Sequence, residues 1–458
     1  MLKQNQPMFK LSSKINSNKV FIVNRSMLEG RIEPDFYKPE SKYILDKLRS
    51  KKHFRLKDVA TFSSETWNQS DYFNETFPYI EISEVDLLTG KISNIKNVPI
   101  SEAPSRAKMI VRKNDILIST TRPSRGAISF LKDLKGINIA STGFAVIRNV
   151  NEDLILREVL FFILRQSFTL KQMEQRSSGG NYPAITQEEL GNILIPYFDS
   201  GHQKEILSVN KTAYELKEQK ESEAIILLKS IDIYLMNKLG FALTEHSNFL
   251  KDRIFISKFS ELTSARFDPF YFKYFGTKTK SHLYNEVSLK RIASINKGQS
   301  ITKESVIEGP YPVIAGGQSS PYTHNIYNQE SNVITVSASG AYAGFVWYHN
   351  QKIFASDCTV IRSKNENEVT TEFIFNVLKA KQEEIYQMQQ GAGQPHVYVN
   401  DLEKLTIPLP DFETQKEINK HIQNIRTQAN QLLQESIDIL ESAKKGIEKM
   451  ILGNSREG

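Results

Sequence analysis

Apolar residues recur at alternating steps of three and four positions along two segments of the chain, residues 202–240 and 413–453. This spacing places the apolar side chains on one stripe of an α-helix, as in a coiled-coil seam. We therefore predict two helices, each about 57 Å long, that pair as an antiparallel coiled coil. A long core helix within one globular domain is the alternative interpretation of each stripe. The predicted seam residues are Ile206, Val209, Ala213, Leu216, Leu227 and Ile231 in the first helix, and Ile418, Ile422, Ile425, Leu432, Ile439 and Ile447 in the second.

Short β-branched runs bounded by Gly, Pro, Asn and Ser precede each long helix, and such runs are typical of strands. The predicted strands are Asp115–Ser119, Phe144–Arg148, Asn332–Ser337 and Lys352–Arg362. A helical pattern follows late in each block, over Leu154–Gln175 and Thr371–Gln389, and an Ile-Pro pair marks the end of the block. We expect an α+β fold in which two similar α/β domains are joined by the two long helices.

The two halves of the chain resemble each other along most of their length, which indicates an internal duplication. Gln203–Ile206 recurs unchanged as Gln415–Ile418, and Ile193–Pro196 recurs as Leu405–Pro408. The offset between matching segments shortens along the chain while their order never changes, so the second copy has shorter loops. The predicted segments are an N-terminal extension (1–19), a first globular domain (20–201), a first spacer helix (202–240), a second globular domain (241–412), a second spacer helix (413–453) and a tail (454–458).

Composition adds a modest positive charge and limits the cellular setting. The formal net charge is +7, and its excess lies in the first 201 residues, which suits a nucleic-acid partner but is weak support by itself. The single cysteine, Cys358, excludes an intramolecular disulfide and fits a reducing, cytoplasmic location; we expect it in the core. No apolar stretch reaches the length of about 18 residues that spans a membrane.

The order domain, helix, domain, helix resembles the specificity (S) subunit of type I restriction–modification systems. The opening segments Arg31–Tyr37 and Arg266–Tyr271 resemble the start of that family's target recognition domains, and Leu409–Gln415 resembles their end. Pro196–Gln203 resembles the same ending, except that Tyr197-Phe198 replaces the usual Leu-Pro. The resemblance extends over roughly residues 20 to 453.

This resemblance implies a sequence-specific DNA-binding subunit without a catalytic site of its own. Each target recognition domain would read one half of a bipartite target in double-stranded DNA, and the helices would fix the unread spacer. Methyltransferase (M) subunits and restriction (R) subunits would be the partners and would carry out adenine methylation and cleavage. Those partners would use S-adenosylmethionine, ATP and Mg, whereas this chain would bind no cofactor.

Two polar loops in each copy are candidates for DNA contact. Ser119–Gly126 holds two arginines, which can bind guanine through two hydrogen bonds, and hydroxyl groups that suit phosphates. Arg176–Pro183 holds glycines that allow close approach of the backbone to a phosphate. The matching loops are Ser337–Gly344, which has no arginine, and Gln389–His396, whose glutamines can pair with adenine. A plain hairpin and an ordinary helix-to-strand connection are the alternatives.

Two further segments, Lys297–Gln299 and Gly316–Ser319, are weaker candidates, for which ordinary turns are the favoured interpretation. The candidate DNA-binding residues come from the two loops of each copy and from Lys297–Gln299. They are Thr120, Arg122, Ser124, Arg125, Arg176, Asn181, Tyr182, Lys297, Gln299, Ser339, Tyr342, Gln390, Gln394 and His396. Because the arginines of the first copy have no counterpart in the second, we expect the two domains to read different half-sites.

Two other functions compete with DNA recognition: a coiled-coil scaffold, and a methyltransferase-linked enzyme. Asp268–Tyr271 is similar to the Asp-Pro-Pro-Tyr motif of amino methyltransferases, but its repeat partner Glu33–Tyr37 lacks the motif and no glycine-rich cofactor loop accompanies it. Asp35, Glu40 and Lys42 lie too close in sequence to form a nuclease site from separate strands. The eight histidines form no HExxH pair, and no Gly-x4-Gly-Lys-Ser/Thr loop is present. We therefore predict neither catalysis nor a metal site.

Overall fold

The computed structural model describes residues 32–68, 72–241, 281–320, 322–391 and 393–453, with a few positions before residue 32. The chain divides into two compact units, Met1–Gln219 with Gln434–Gly458, and Lys220–Leu433. Each unit contains one globular domain and one half of each long helix. Arg31 and Arg266–Tyr271, including the methyltransferase-like Asp268, lie outside the described residues.

The globular domain of unit 1 is built from ten strands and five short helices. In chain order they are α1 (Pro39–Arg49), β1 (His53–Arg55), α2 (Leu56–Val59), β2 (Ala60–Ser63), β3 (Thr76–Ile80), β4 (Lys96–Pro99), β5 (Ala107–Val111), β6 (Ile116–Ser119), β7 (Ile128–Phe130), β8 (Asn138–Ser141), β9 (Phe144–Val150), α3 (Arg157–Leu164), α4 (Ser167–Arg176), α5 (Gln187–Gly191) and β10 (Leu194–Pro196). Two four-stranded sheets have the orders β2-β9-β6-β7 and β4-β3-β8-β5, and β1 pairs with β10. All of these pairs are antiparallel except β3 with β8.

The position of strand β6 between two cores explains why its residues Ile116, Leu117 and Ile118 form an uninterrupted apolar run. Ile116 and Ile118 belong to the core shared with the helices, whereas Leu117 belongs to the core between the two sheets. Alternate side chains of a strand point to opposite faces, so a strand covered on both sides must be apolar at every position. The first sheet is therefore the central layer of the domain.

Unit 2 repeats this plan with shorter loops. In chain order it contains β11 (Glu286–Ser288), α7 (Leu289–Ile292), β12 (Ala293–Lys297), β13 (Tyr311–Ile314), β14 (Thr323–His324), β15 (Val333–Ser337), β16 (Val346–His349), β17 (Phe354–Ala355), β18 (Cys358–Ser363), α8 (Thr371–Ala380), α9 (Gln382–Tyr386), α10 (Val399–Lys404) and β19 (Thr406–Pro408). Its central sheet, β12-β18-β15-β16, matches β2-β9-β6-β7, and the β11–β19 pair matches β1–β10. The duplication seen in the sequence is thus a duplication of the fold.

The predicted strands and helices are confirmed in type but not in every boundary. Lys352–Arg362 is divided into β17 and β18, and Leu154–Gln175 is divided into α3 and α4. The second helical pattern, Thr371–Gln389, is likewise divided into α8 and α9. Each of the two predicted helical segments therefore forms two shorter helices rather than one long helix.

The repeated Gln-Lys-Glu-Ile motif joins each domain to a long helix. In unit 1, Gln203 accepts a hydrogen bond from the Leu156 backbone at 2.8 Å and donates to the Phe198 carbonyl at 3.1 Å. In unit 2, Gln415 accepts from the Thr370 backbone at 3.3 Å and donates to the Pro410 carbonyl at 3.1 Å. Both glutamines are buried, so the motif is retained in both copies for the same structural reason.

The two long helices are α6 (Ser200–Leu239) and α11 (Phe412–Leu452), close to the predicted segments. In unit 2, Lys238 of α6 pairs with Glu417 of α11 at 3.0 Å, so the end of α6 lies beside the start of α11. In unit 1, Ile206 near the start of α6 shares a core with Ile447 near the end of α11. The helices are therefore antiparallel within each unit, as predicted. Gly240 and Gly453 follow the helices with φ of 65° and 75°, the left-handed conformation of a C-terminal cap.

Seven of the twelve predicted seam residues are buried: Ile206, Ala213, Ile231, Ile418, Ile422, Ile425 and Ile447. Leu216 is wrong, because 42% of its surface is exposed. Four others, Val209, Leu227, Leu432 and Ile439, are only half-buried. The structure also buries three polar residues of these helices, Asn210 and Lys217 in α6 and Ser436 in α11, together with the apolar Leu440.

Candidate nucleic-acid interface

The two predicted loops of unit 1 lie against each other on one surface. Thr121 and Ala184 form an isolated β-bridge, the Arg122 backbone N–H donates to the Pro183 carbonyl at 2.7 Å, and the Ile185 N–H donates to the Thr120 carbonyl at 2.9 Å. Residues 119–126 follow β6, and residues 177–186 follow α4. Each loop is thus held by the other and by the end of a regular element.

Arg122 is held in place by contacts of both its backbone and its side chain. Its backbone is left-handed, with φ of 48°, which is uncommon for a residue with a side chain. Its guanidinium lies 4.4 Å from the centre of the Tyr182 ring and donates to the Asn181 carbonyl at 3.1 Å. Tyr182 itself is 71% exposed. A guanidinium prearranged in this way, with donors still available, can bind an acceptor pair such as guanine O6 and N7.

The remaining residues of the first loop divide into exposed and supporting groups. Arg125 is exposed and Ser124 is half-buried, in the 3-10 turn Pro123–Arg125. Thr120, by contrast, donates its hydroxyl to the Gly143 carbonyl at 2.9 Å. Thr120 therefore anchors the loop to the β8–β9 turn, and its hydroxyl proton is already committed to the protein.

Arg176 does not belong to the exposed surface, and its prediction as a DNA contact needs correction. Only 6% of its surface is exposed, its guanidinium pairs with Glu189 at 2.8 Å, and it lies 5.5 Å from the centre of the Phe36 ring. A buried arginine with a carboxylate partner joins α4 to α5 and to the N-terminal segment. Its geometry gives it a structural role.

Unit 2 places its two loops together in the same way. Ser339 and Gln390 each form an isolated β-bridge with His396. The Gly340 N–H donates to the Pro395 carbonyl and the Val397 N–H donates to the Ala338 carbonyl, both at 3.0 Å. The interlocked loop pair is therefore a repeated feature of both units.

The side chains of this second surface differ from those of the first. Tyr342 is 47% exposed, Gln394 is exposed, and His396 is half-buried and stacks on Tyr398 with 6.0 Å between ring centres. Gln390 is used internally, because its amide donates to the Asp401 carboxylate at 2.8 Å. The predicted residues thus lie together, but Gln390 acts as a support.

The turn at Lys297–Gln299 joins the same surface through the β17–β18 connection. Lys297 and Gln299 are exposed, and the backbones of Gly298 and Gln299 donate to the Cys358 and Ala355 carbonyls at 2.8 and 2.9 Å. A Cβ on Gly298 would lie 2.2 Å from the Ser356 carbonyl oxygen, so only glycine permits this close approach.

The sequence prediction did not include Asp357, which lies beside the same loops. Asp357 is exposed and accepts a hydrogen bond from the Ser339 hydroxyl, so it adds a carboxylate to this surface. Gly316, in the same turn as Gln318, is packed against Ser339 so tightly that a Cβ would lie 2.6 Å from its carbonyl oxygen. In the sequence, this third loop corresponds to the weaker candidate segment Gly316–Ser319.

Cys358, next to Asp357, is a core residue as predicted. Burial, together with the Asp357 charge, raises the pKa of its thiol to about 12. Within the described ranges, no group of three or more His, Cys, Asp or Glu side chains could hold a metal ion. Over the same part of the chain, none of the helices combines the length and the apolar character needed to cross a membrane.

Comparisons with known proteins agree with this architecture. A family model described as the type I restriction modification DNA specificity domain matches residues 49–225 and 282–442. The chain is 28% identical over 160 residues to the type I restriction enzyme HindI specificity subunit of Haemophilus influenzae, covering 34% of each protein. It is 27% identical over 165 residues to the MjaVIII specificity subunit of Methanocaldococcus jannaschii, covering 34% of this chain and 38% of that protein. The chain thus matches about a third of the length of these curated relatives.

Solved structures give matches across most of the chain at low identity. The HsdS subunit from Thermoanaerobacter tengcongensis is 21% identical, with a TM-score of 0.37, and the match covers 88% of this chain and 97% of that one. A chain from a structure of the type I R-M system is also 21% identical, with a TM-score of 0.49 and coverage of 88% and 98%. Because the family model matches a specificity domain in each half of the duplicated fold, the chain belongs to the family of type I restriction–modification DNA specificity domains.

Proposed function

We propose that this chain reads a bipartite target in double-stranded DNA, one half-site with each unit. The observation that carries the proposal is the interlocked loop pair, which occurs at the same place on both copies of the fold. Loops carried by a rigid scaffold are common sites of recognition. Because the two copies share one chain, binding of one half-site raises the effective concentration at the other.

Unit 1 reads its half-site mainly through Arg122 and Arg125. Arg122 is held by Tyr182 and the Asn181 carbonyl, so it loses little conformational freedom when it binds a base. Arginine bound to guanine through two hydrogen bonds is the commonest specific contact in the major groove. We expect at least one guanine in the first half-site.

Unit 2 reads a different half-site, because its surface contains no arginine in the corresponding loop. Gln394 offers both an acceptor and a donor, which suits adenine, and the Asp357 carboxylate can accept a hydrogen bond from a cytosine amino group. The exposed Lys297 would contact a phosphate. The two half-sites are therefore unlike in sequence.

The long helices serve as a spacer and as the docking site for methyltransferase subunits. Four large apolar side chains of α6 in unit 2 are exposed: Ile225 (52%), Ile226 (65%), Leu228 (40%) and Ile233 (57%). Exposed apolar groups concentrated in one place mark interaction sites. The chain itself would be a non-catalytic recognition subunit in the cytoplasm, and its partners would use S-adenosylmethionine, ATP and Mg for methylation and cleavage.

Mapping methylated bases in DNA treated with the assembled methyltransferase complex tests this function. We expect one motif with two separated half-sites. Arg122→Ala with Arg125→Ala should lower affinity for that motif at least about tenfold and relax the sequence of the first half-site only. Lys132→Ala with Lys135→Ala removes the same charge elsewhere in unit 1 and should leave the motif unchanged.

The two competing functions predict other outcomes. A coiled-coil scaffold would retain its DNA affinity in the Arg122 and Arg125 variant. An enzyme acting through Asp268 would transfer methyl groups as an isolated chain and lose that activity in Asp268→Ala. A methylation motif without two separated parts would overturn the proposed function.

A further inference from the structure

A short turn, Asp86–Lys91, connects the second sheet of unit 1 to the first half of α6. Tyr214 of α6 donates its phenol hydroxyl to the Thr89 carbonyl at 2.6 Å, and Lys91 pairs with Glu218 at 2.5 Å. Positions four apart on a helix lie on the same face. The turn is therefore held at two points by one face of α6.

Arg165, between α3 and α4, holds the same turn from the domain side. Only 5% of its surface is exposed. It donates to three backbone carbonyls, those of Leu87, Leu88 and Ile128, at 3.0, 2.8 and 2.9 Å. Gly90 makes room for this contact, since its φ is 75° and a Cβ would lie 2.5 Å from the Arg165 guanidinium.

Charged side chains of both long helices complete the contact. Burial raises the pKa of Asp86, but hydrogen bonds from Thr89 and the charges of Lys217 and Arg165 outweigh it, so the pKa of Asp86 is lowered. Asp86 therefore stays ionised. Lys444 of α11 also interacts with Asp86, which partly opposes the lowering of the Lys444 pKa by burial.

The other side of the turn reaches the first candidate DNA loop. The 3-10 segment Ile82–Glu84 precedes the turn, and the Ile82 side chain packs so closely on Gly143 that a Cβ there would lie 2.6 Å from it. The Gly143 carbonyl accepts hydrogen bonds from the backbone and hydroxyl of Thr120, at 2.7 and 2.9 Å. Ile128, held by Arg165, lies just after the loop.

We propose that the turn Asp86–Lys91 is a clamp that fixes the loop Ser119–Gly126 at one position relative to α6. Tyr214 and Arg165 are its positioning residues, since they act on DNA only through this loop. The inference rests on the proposed function. Its consequence is that unit 1 binds its half-site only when the spacer between the two half-sites has one particular length. Targets whose spacer differs by a single base pair are rejected.

Spacer discrimination by the full chain, assembled with its methyltransferase subunits, tests the clamp. Binding is measured to duplexes with both half-sites at the native spacer and at spacers one base pair shorter and longer. Tyr214→Phe removes one hydrogen bond, and we expect discrimination against the altered spacers to fall about three- to tenfold. Affinity for the native spacer should stay within about twofold, because the base contacts are intact. Arg165→Lys keeps the charge, loses the three-carbonyl geometry and should act in the same direction.

Tyr348→Phe is the matched control. Its hydroxyl donates to Asn332 at 2.8 Å, within the domain of unit 2, and its loss should leave spacer discrimination at the parent value. The clamp is overturned if neither Tyr214→Phe nor Arg165→Lys changes discrimination, or if Tyr348→Phe changes it equally. A parent complex that binds all spacers alike would reject bipartite reading itself, and the clamp with it.

Discussion

At the scale of single residues, His349 links burial to the stability of unit 2. Only 4% of its surface is exposed, its Nε2 lies 2.8 Å from the Thr335 hydroxyl, and burial lowers its pKa from 6.5 to about 4. The imidazole is therefore neutral in the folded protein at neutral pH. Protonation is easier in the unfolded chain, where the ring is in water.

This shift predicts a loss of stability in mild acid. Because the folded pKa is depressed, the contribution of His349 is fully present above about pH 6.5 and is lost as the pH falls toward 4. The total change is about 3 kcal/mol. Urea unfolding of the Trp67→Phe protein measures it, since Trp347 is then the single tryptophan and lies 4.9 Å from the His349 ring.

His349→Gln should remove most of this pH dependence, while the more exposed His396→Gln should retain it. Equal pH dependence in the parent and in His349→Gln would contradict the assignment. Other titratable groups would then cause the loss of stability of unit 2 in mild acid.

The position of a single residue could be predicted from the sequence where its neighbours in the structure are also its neighbours in the chain. The position of Arg122 and Tyr182 in adjoining surface loops could be predicted because both lie in polar segments next to predicted elements. The burial of Arg176 could not, because Glu189 and Phe36, which enclose it, come from separate elements. Asp357 was not predicted, because it directly precedes the buried strand that begins at Cys358 and was included in a predicted strand.

At the scale of elements, the helix seam shows where an apolar pattern is ambiguous. Val209 and Asn210 are neighbours, as are Leu216 and Lys217, and adjacent positions differ by about 100° around a helix. The sequence pattern selects the apolar member of each pair, but the structure buries the polar one. Asn210 satisfies its amide by donating to the Ile206 carbonyl at 2.8 Å, and Lys217 lies near Asp86.

The corrected seam predicts unequal costs for two similar substitutions. Ile206→Ala should lower the free energy of unfolding by about 2–5 kcal/mol, because Ile206 is fully buried. Leu216→Ala should cost under about 0.5 kcal/mol, because Leu216 is largely exposed. Urea unfolding followed by circular dichroism measures both; equal losses would restore the seam predicted from the sequence.

Two strands of each central sheet, β6 and β9 in unit 1 and β15 and β18 in unit 2, could be predicted because they are almost wholly buried and consist mainly of apolar and β-branched residues. The outer sheet of unit 1 could not be predicted in the same way. Its strands Thr76–Ile80 and Lys96–Pro99 contain prolines and exposed polar residues. The pairing of β3 with β8 joins distant parts of the chain.

At the scale of the whole molecule, the duplication accounts for most of what the sequence could predict. It indicates two similar domains, two similar helices and two pairs of loops. The duplication does not indicate which face of α6 is exposed to solvent. In the sequence, the apolar side chains of α6 look like core residues, including those of Ile225, Ile226 and Ile233. Their exposure becomes evident only once the antiparallel pairing is known.

The exposed apolar residues of α6 predict a separable docking defect. Ile226→Glu with Ile233→Glu should weaken binding of methyltransferase subunits at least about 30-fold, since a charge would be buried without a partner. Thermal unfolding of the isolated chain should be unchanged. Ile307→Glu with Ile326→Glu alters two equally exposed residues of unit 2 and should bind normally; calorimetric titration distinguishes these results.

The sharing of both long helices between the units also has a consequence for protein synthesis. Ile447 and Ile451, close to the end of α11, belong to the same core as Leu56 and Ile116 of the first domain. A ribosome completes the first domain long before it makes those residues, although domains generally fold in order of synthesis. The first domain must therefore wait, with part of its core uncovered, until nearly the whole polypeptide has emerged.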